Sequence, residues 1–251
     1  LEVLETSENA TITIHNFGNL SCLKTFKVGK GTTIVIESKA SYYSPSGENR
    51  SNSKLETVDF SAGNMNVTVM GGAFHDRPVS NLLLGANSTY NFQYDSFRNT
   101  KLTELEIPSP ISLICGSNVF RDADITALKF PDGTAENVNT FTFGGECFRY
   151  NPIASLEFGQ YGTYKFTGGS TLANMKLNGA LVFAPNSSYE IQSWTFSNNT
   201  ITAIDFSAGN VNVTVTDSGL KDMTNVTEFK FGENSTYTFN GKSLGKTGIT
   251  K

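Results

Sequence analysis

The 251-residue chain has little of what catalytic and metal centres are made from: two histidines, three cysteines and one tryptophan. His15 and His75 have no carboxylate at a shared offset, so surface or turn positions are expected for both. Cys22, Cys115 and Cys147 are odd in number and widely spaced, which excludes a dense disulfide framework or a zinc knuckle. Buried free thiols are expected, with one disulfide and a spare thiol as the alternative. No Lys/Arg run occurs and the net charge is −4, so the electrostatic footprint of a nucleic-acid binder is missing. No apolar stretch approaches the roughly 18 residues needed to span a membrane. G-x-S-x-G, H-E-x-x-H and P-loop motifs are absent. The Gly-Gly pairs at 71–72, 144–145 and 168–169 lack a following Lys-Ser/Thr and read as turns. No catalytic residue, metal ligand or cofactor site is assigned, and the chain is not expected to be an enzyme.

What the sequence does have is a self-similar unit of about 23 residues. The segment 79-VSNLLLGANSTYNFQYDSFRNTK-101 matches 226-VTEFKFGENSTYTFNGKSLGKTG-248 in apolar residues at positions 4 and 6, a Gly turn, an Asn-Ser-Thr-Tyr step and a late Phe or Leu. Units begin at Leu1, Leu23, Leu55, Val79, Leu102, Ile125, Ile153, Asn178, Ile201 and Val226. Positions 4 and 6 are mostly apolar, as in Leu82/Leu84, Leu105/Ile107 and Leu128/Phe130, and then Gly, Pro or Ser follows. That alternation predicts a short strand with one buried face, stopped by a turn. A second alternating strand follows, with Ile34/Ile36, Tyr90/Phe92, Tyr164/Phe166, Tyr189/Ile191 and Tyr237/Phe239 inward. The units at 55 and 201 carry one extra residue in Ser-Ala-Gly-Asn and use Val67/Val69 and Val213/Val215 instead. The linking segments are too short for long helices; one helical turn or a 3₁₀ piece is expected in each.

A period of this length means a solenoid, in which each unit packs only on its neighbours. The expected fold is one α/β repeat solenoid over 1–251, right-handed and predominantly β. It has about ten units, two parallel sheets and short helical, 3₁₀ or irregular returns. Residues 37–54 and 134–150 break the period and are expected as loop insertions, the first of them mobile. A longer copy is also visible: 57-TVDFSAGNMNVTV-69 recurs as 203-AIDFSAGNVNVTV-215. The chain starts at Leu1 and stops at 249-ITK-251 as another unit begins, so a mature or trimmed form is expected, in which either a C-terminal cap is absent or the natural protein continues.

The order L-x-x-L-x-F/I-(P/G), a late Phe and a new L-x-x-L is seen best in 102-LTELEIP-108 with Phe120 and in 125-ITALKFP-131. It resembles the BspA-type leucine-rich repeats of bacterial surface proteins and some protist ones. The resemblance implies a leucine-rich-repeat horseshoe and a secreted or cell-surface location. It also implies binding to host proteins, matrix or other cells, with no family catalytic residues.

Solenoids present the outward residues of a strand as a long row. The expected ligand-binding residues are Glu56, Asp59, Asn81, Glu104, Glu106, Lys129, Glu157, Asp205, Glu228 and Lys230; the plain alternative is a merely soluble sheet face. Glu104, Glu106, Asp122 and Asp124 cluster but lack the Gly spacing of a calcium loop. The second strand carries an outward Thr row that resembles those of ice-binding solenoids. Asn91, Lys165 and Glu190 interrupt it, and threonine's β-propensity accounts for it more simply. Asn-x-Ser/Thr sequons such as Asn87 and Asn234 are read as turn chemistry. Tyr94 and Trp194 are expected half-buried beside Phe97 and Phe196. The function expected is non-enzymatic recognition or adhesion, with a protein or glycan on host or neighbouring cells as partner. The alternative is a targeting domain attached to an enzyme or anchor elsewhere.

Overall fold

The computed structural model describes residues 1–15, 22–37 and 53–249. The chain winds as a parallel β-solenoid of about nine turns, and among the described residues there is no helix. One side is a continuous ten-stranded parallel sheet in sequence order: Thr11–Ile14, Thr33–Ile36, Asn66–Val69, Ser88–Phe92, Ile111–Cys115, Asn139–Phe143, Gly162–Phe166, Ser187–Ile191, Val211–Val215 and Thr236–Phe239. The other strands are shorter and fall into three sheets. The first holds Val3–Glu5, Thr25–Lys27, Thr57–Phe60 and Asn81–Leu84; the second Ala127–Lys129 and Ser155–Glu157; the third Asn178–Val182, Thr200–Asp205 and Glu228–Lys230.

Register follows from the alternation, because a one-residue slip would turn every apolar side chain outward. In the long sheet Ile12, Ile34, Val67, Tyr90, Leu113, Phe141, Tyr164, Tyr189, Val213 and Tyr237 lie over one another. On the short-strand side Val58 pairs with Leu82 and Leu128 with Leu156, and a parallel bridge joins Glu106 to Lys129. Leu82, Leu105 and Leu128 are all buried. The extra residue at 55–69 is absorbed in a turn closed by a Gly63 amide to Phe60 carbonyl bond, with Gly63 and Asn64 at φ 73° and 55°. Positive φ suits glycine and asparagine best.

The returns correct the expectation of a helical piece. In the return after Ser88–Phe92, the amides of Asp95, Phe97 and Asn99 donate to Ser117, Val119 and Arg121 of the next turn. Between them, Ser96 and Arg98 donate back to Gln93 and Asp95. Asp95 and Asn99 have φ of 56° and 52°, and the pairs Asn118/Asp122, Ser170/Asn174 and Ser218/Asp222 repeat the pattern. A left-handed residue at every fourth position stops an α-helix from propagating, and half the amides are spent on the neighbouring turn. Asn, Asp and Ser can bond their own backbone locally, which favours them here.

Each return drops one large side chain into the core. Phe74, Phe97, Phe120 and Phe148 stack face to face with centroids 5.0, 5.7 and 5.4 Å apart. Leu172, Phe196 and Leu220 are fully buried at the matching step of the later returns. Phe17 and most of the expected 37–54 insertion lie outside the described residues. The expected 134–150 insertion is a correction: it contains the regular strand Asn139–Phe143 and the return carrying Phe148. The surplus length sits in the preceding connection, where the Thr134 and Asn137 backbones bond each other.

The Asn-Ser-Thr-Tyr step forms the corner into the long sheet. Asn87 takes φ 54°, and Ser88 Oγ accepts from the Met65 amide of the previous turn. Thr89 points outward, and Tyr90 points inward with its hydroxyl accepting from the Gly85 amide at 2.8 Å. Tyr237 repeats that bond with Gly232, while the Tyr164 hydroxyl donates to the Gly159 carbonyl.

Candidate functional site

The structure sorts the expected binding residues into two groups. Asp59, Glu106, Lys129, Glu157, Asp205 and Lys230 fall in one outward file on the short-strand side, together with Glu5, Lys27, Leu83 and Val182. Read from the first turn, that file alternates acid, base, acid, apolar, and then repeats. The charges therefore meet their opposites across the rungs. Lys27 lies 2.9 Å from Glu5, Lys129 3.4 Å from Glu157 and Lys230 3.6 Å from Asp205. Glu56, Asn81, Glu104 and Glu228 are exposed on the same side but outside this file. Asp59 and Asp205, in the copied blocks, make the same turn: each carboxylate accepts from the amide two residues on, Ser61 at 2.8 Å and Ser207 at 2.9 Å. The bonds from Ser207, with Lys230 beside them, hold the Asp205 carboxyl below the usual carboxylate range. The Glu5 carboxylate likewise raises the Lys27 ammonium.

The return side carries a second charged cluster that sequence reading missed. Arg98, Arg121 and Arg149 occupy the same step of three successive returns. Arg98 faces Asp95 and Asp122 at 3.5 Å, and both Arg121 and Arg149 bond Glu146. Both guanidinium groups also lie over the Tyr150 ring, at 5.1 and 4.6 Å. The signal was present: each Arg directly follows a late Phe, in the pairs 97–98, 120–121 and 148–149. Asp122 is engaged by Arg98 and Arg121, and Asp124 by Lys101 at 3.4 Å.

The outer face of the long sheet differs in kind. One outward file reads Thr11, Thr33, Asn66, Thr89, Ser112, Thr140, Thr163, Ser188, Asn212, Thr236. The other reads Thr13, Val35, Thr68, Asn91, Ile114, Thr142, Lys165, Glu190, Thr214, Thr238. Only Lys165 and Glu190 are charged, and they are register partners. Neighbouring hydroxyls bond along the file, Thr140 to Ser112 at 2.9 Å and Ser188 to Thr163 at 3.3 Å. A depression of about 210 Å³ opens over the strands Gly162–Phe166, Ser187–Ile191 and Val211–Val215.

The remaining expectations divide. His15 pairs with Glu37 at 2.6 Å and His75 lies 3.4 Å from Asp76. Cys115 and Cys147 are buried free thiols in adjacent turns, and burial next to each other pushes the Cys115 thiol up. Cys22 is exposed, against expectation. Tyr94 is 51 % and Trp194 42 % exposed. The Tyr94 ring lies against Gly71, and Lys221 Nζ sits 5.4 Å over the Trp194 ring.

A family model described as a BspA type leucine-rich repeat region matches in six copies, over residues 49–151, 90–182 and 142–251. Neither curated proteins nor solved structures gave a match.

Proposed function

The chain belongs to the BspA-type leucine-rich repeat family, and from that premise we propose that it is a recognition module. It binds a protein or glycan on host or neighbouring cells through an extended solenoid face. The repeats themselves support a protein-interaction or surface role. Family members are typically extracellular or surface-associated, which supports placing this protein outside the cell or on its surface. No helix of the described residues is long and apolar enough to cross a membrane.

The observation that carries the reading is the unbroken register of the ten-stranded sheet. Nine rung-to-rung steps at ~4.8 Å make a surface roughly 43 Å long, and among the described residues no other element pairs over it. Such a face suits an extended partner rather than a small substrate that must be enclosed. On the other sides several titratable side chains are engaged in cross-rung pairs such as Lys129–Glu157, or in the arginine cluster around Glu146. The test is saturable binding of the purified chain to immobilised matrix proteins and to whole cells, run beside a screen of hydrolytic activities. Saturable binding without turnover supports a recognition module. Turnover by this chain without binding overturns it. Surface labelling of intact source cells tests the location.

A further inference from the structure

We propose that the outer face of the ten-stranded sheet, rather than the charged short-strand side, is the ligand face, and that it takes a neutral, hydroxyl-rich glycan. One sugar residue would sit in the depression lined by Thr163, Lys165, Ser188, Glu190, Asn212 and Thr214. This inference rests on the recognition reading above and gives it a face and a ligand class.

Charge comes first. Six of the eight charges in the short-strand file close into pairs across the rungs, at 2.9 to 3.6 Å. An incoming ligand would have to replace contacts already made. On the long sheet, two of twenty outward side chains are charged and they are opposite in sign. Such a face has no net field to hold a sulfated glycan, a nucleic acid or an anionic lipid surface. Hydrogen-bonding capacity comes second. Thr and Ser hydroxyls and Asn amides both donate and accept, as the hydroxyls of a sugar do. A neutral polyol can therefore satisfy them without leaving a charge unpaired.

The depression adds position. It lies where the two outward files set a carboxylate, an ammonium and the Asn212 amide on adjacent rungs. Glu190 is oriented by a 2.6 Å bond from the Gln192 side chain, and Lys165 is exposed. A carboxylate and an ammonium make the stronger, charge-assisted bonds to a ligand's hydroxyls. The volume of about 210 Å³ falls below the range of about 300–1,000 Å³ typical of pockets for drug-sized ligands. A single ring fits it better than a cofactor does. The sheet runs unbroken past the depression, so further sugars would find outward hydroxyls along it.

The test is affinity electrophoresis of the purified chain through gels holding mannan, laminarin or, as the acidic counterpart, dextran sulfate. Neutral polysaccharide should retard the chain. The Glu190→Ala/Asn212→Ala double variant should bind about tenfold more weakly, while Lys129→Ala on the opposite side should bind as the parent does. A single cooperative unfolding transition in each variant shows that it folds. Absence of retardation by both neutral polysaccharides, equal retardation of the double variant, or stronger retardation by dextran sulfate would each overturn the proposal. If cells or matrix proteins still bind saturably in that case, only the face and ligand class fail. If they do not, the recognition reading fails as well.

Discussion

The hydroxyl of Ser88 accepts a hydrogen bond of 3.1 Å from the amide of Met65, one full turn earlier, and donates to the Ala86 carbonyl at 3.0 Å. Ser187 makes the same bond to Gly162 and Ser235 to Val211, and the Asn139 side chain serves Ile111. A side chain thus extends the rung-to-rung ladder around the corner, where the backbone turns away. Ser88→Ala leaves the Met65 amide buried without that acceptor. The expected cost is about 1–3 kcal/mol, read as a lower urea midpoint. Ser235→Ala, at a more exposed corner, should cost less because water can replace the hydroxyl.

Glycine after the first strand is a matter of space. A Cβ on Gly159 would stand 2.1 Å from the Pro131 carbonyl oxygen, and one on Gly85 2.4 Å from the Gly63 nitrogen. Both obstacles are backbone of the neighbouring turn, which cannot swing aside as a side chain can. Gly159→Ala should cost about 1–3 kcal/mol or more through forced separation of the rungs. Gly245→Ala, where the nearest atom is a carbonyl oxygen at 3.3 Å, should cost much less. Paired thermal melts of the two variants check the contrast.

Three buried tyrosines make the fold sensitive to alkali. Burial pushes the Tyr90 phenol above its ordinary value and the Tyr164 and Tyr189 phenols well above theirs, Tyr164 further because it faces Tyr189. Below about pH 10, the unfolded-chain value, both states hold the phenol protons and stability does not depend on them. Above it the unfolded chain releases protons that the folded chain keeps. Stability then falls as pH rises, by up to about 1.4 kcal/mol per pH unit for each tyrosine. Tyr164→Phe gives up the hydroxyl bond to Gly159, so it should be somewhat less stable at neutral pH but show a shallower alkaline fall. Urea unfolding between pH 8 and pH 11 measures both effects (about one slope per phenol), and an unchanged slope would contradict the assignment.

Most of the architecture is legible in the sequence because solenoid packing is local. The alternation of Tyr164/Phe166 and Tyr189/Ile191 already places these side chains in common files, and the structure stacks Tyr164 on Tyr189 at 5.0 Å. Ile111–Cys115 and Asn139–Phe143 follow the same period but were hidden, one behind Ser109-Pro110 and the other behind the longer connection at 133–138. The returns were not legible as turns. A segment of six or seven residues is long enough to hold a helical turn of about 3.6 residues, and only the left-handed Asn, Asp and Ser residues distinguish the two. For the binding site, outwardness was readable and pairing was not. Asp59, Glu106 and Lys129 are outward as expected, yet which charges stand over which depends on register across some 23 residues.

That register makes the charged file testable. Glu106 and Glu157 occupy the rungs on either side of Lys129, bridged to it in parallel on one side and paired on the other. Lys129→Glu would set three carboxylates in succession about 4.8 Å apart. Like charges directly opposite in a sheet are unfavourable, but all three side chains are exposed, so the penalty should be modest, about 0.5–1 kcal/mol at low salt. Raising the salt to about 1 M shortens the screening length to roughly 3 Å and should restore most of the loss. Lys129→Ala removes the attraction without adding repulsion, so it should show a smaller deficit and a weaker salt response. If Lys129→Glu matches the parent at low salt, the alternation of charge along this file does not help to hold the rungs in register. If the loss persists unchanged at high salt, its origin is packing rather than charge.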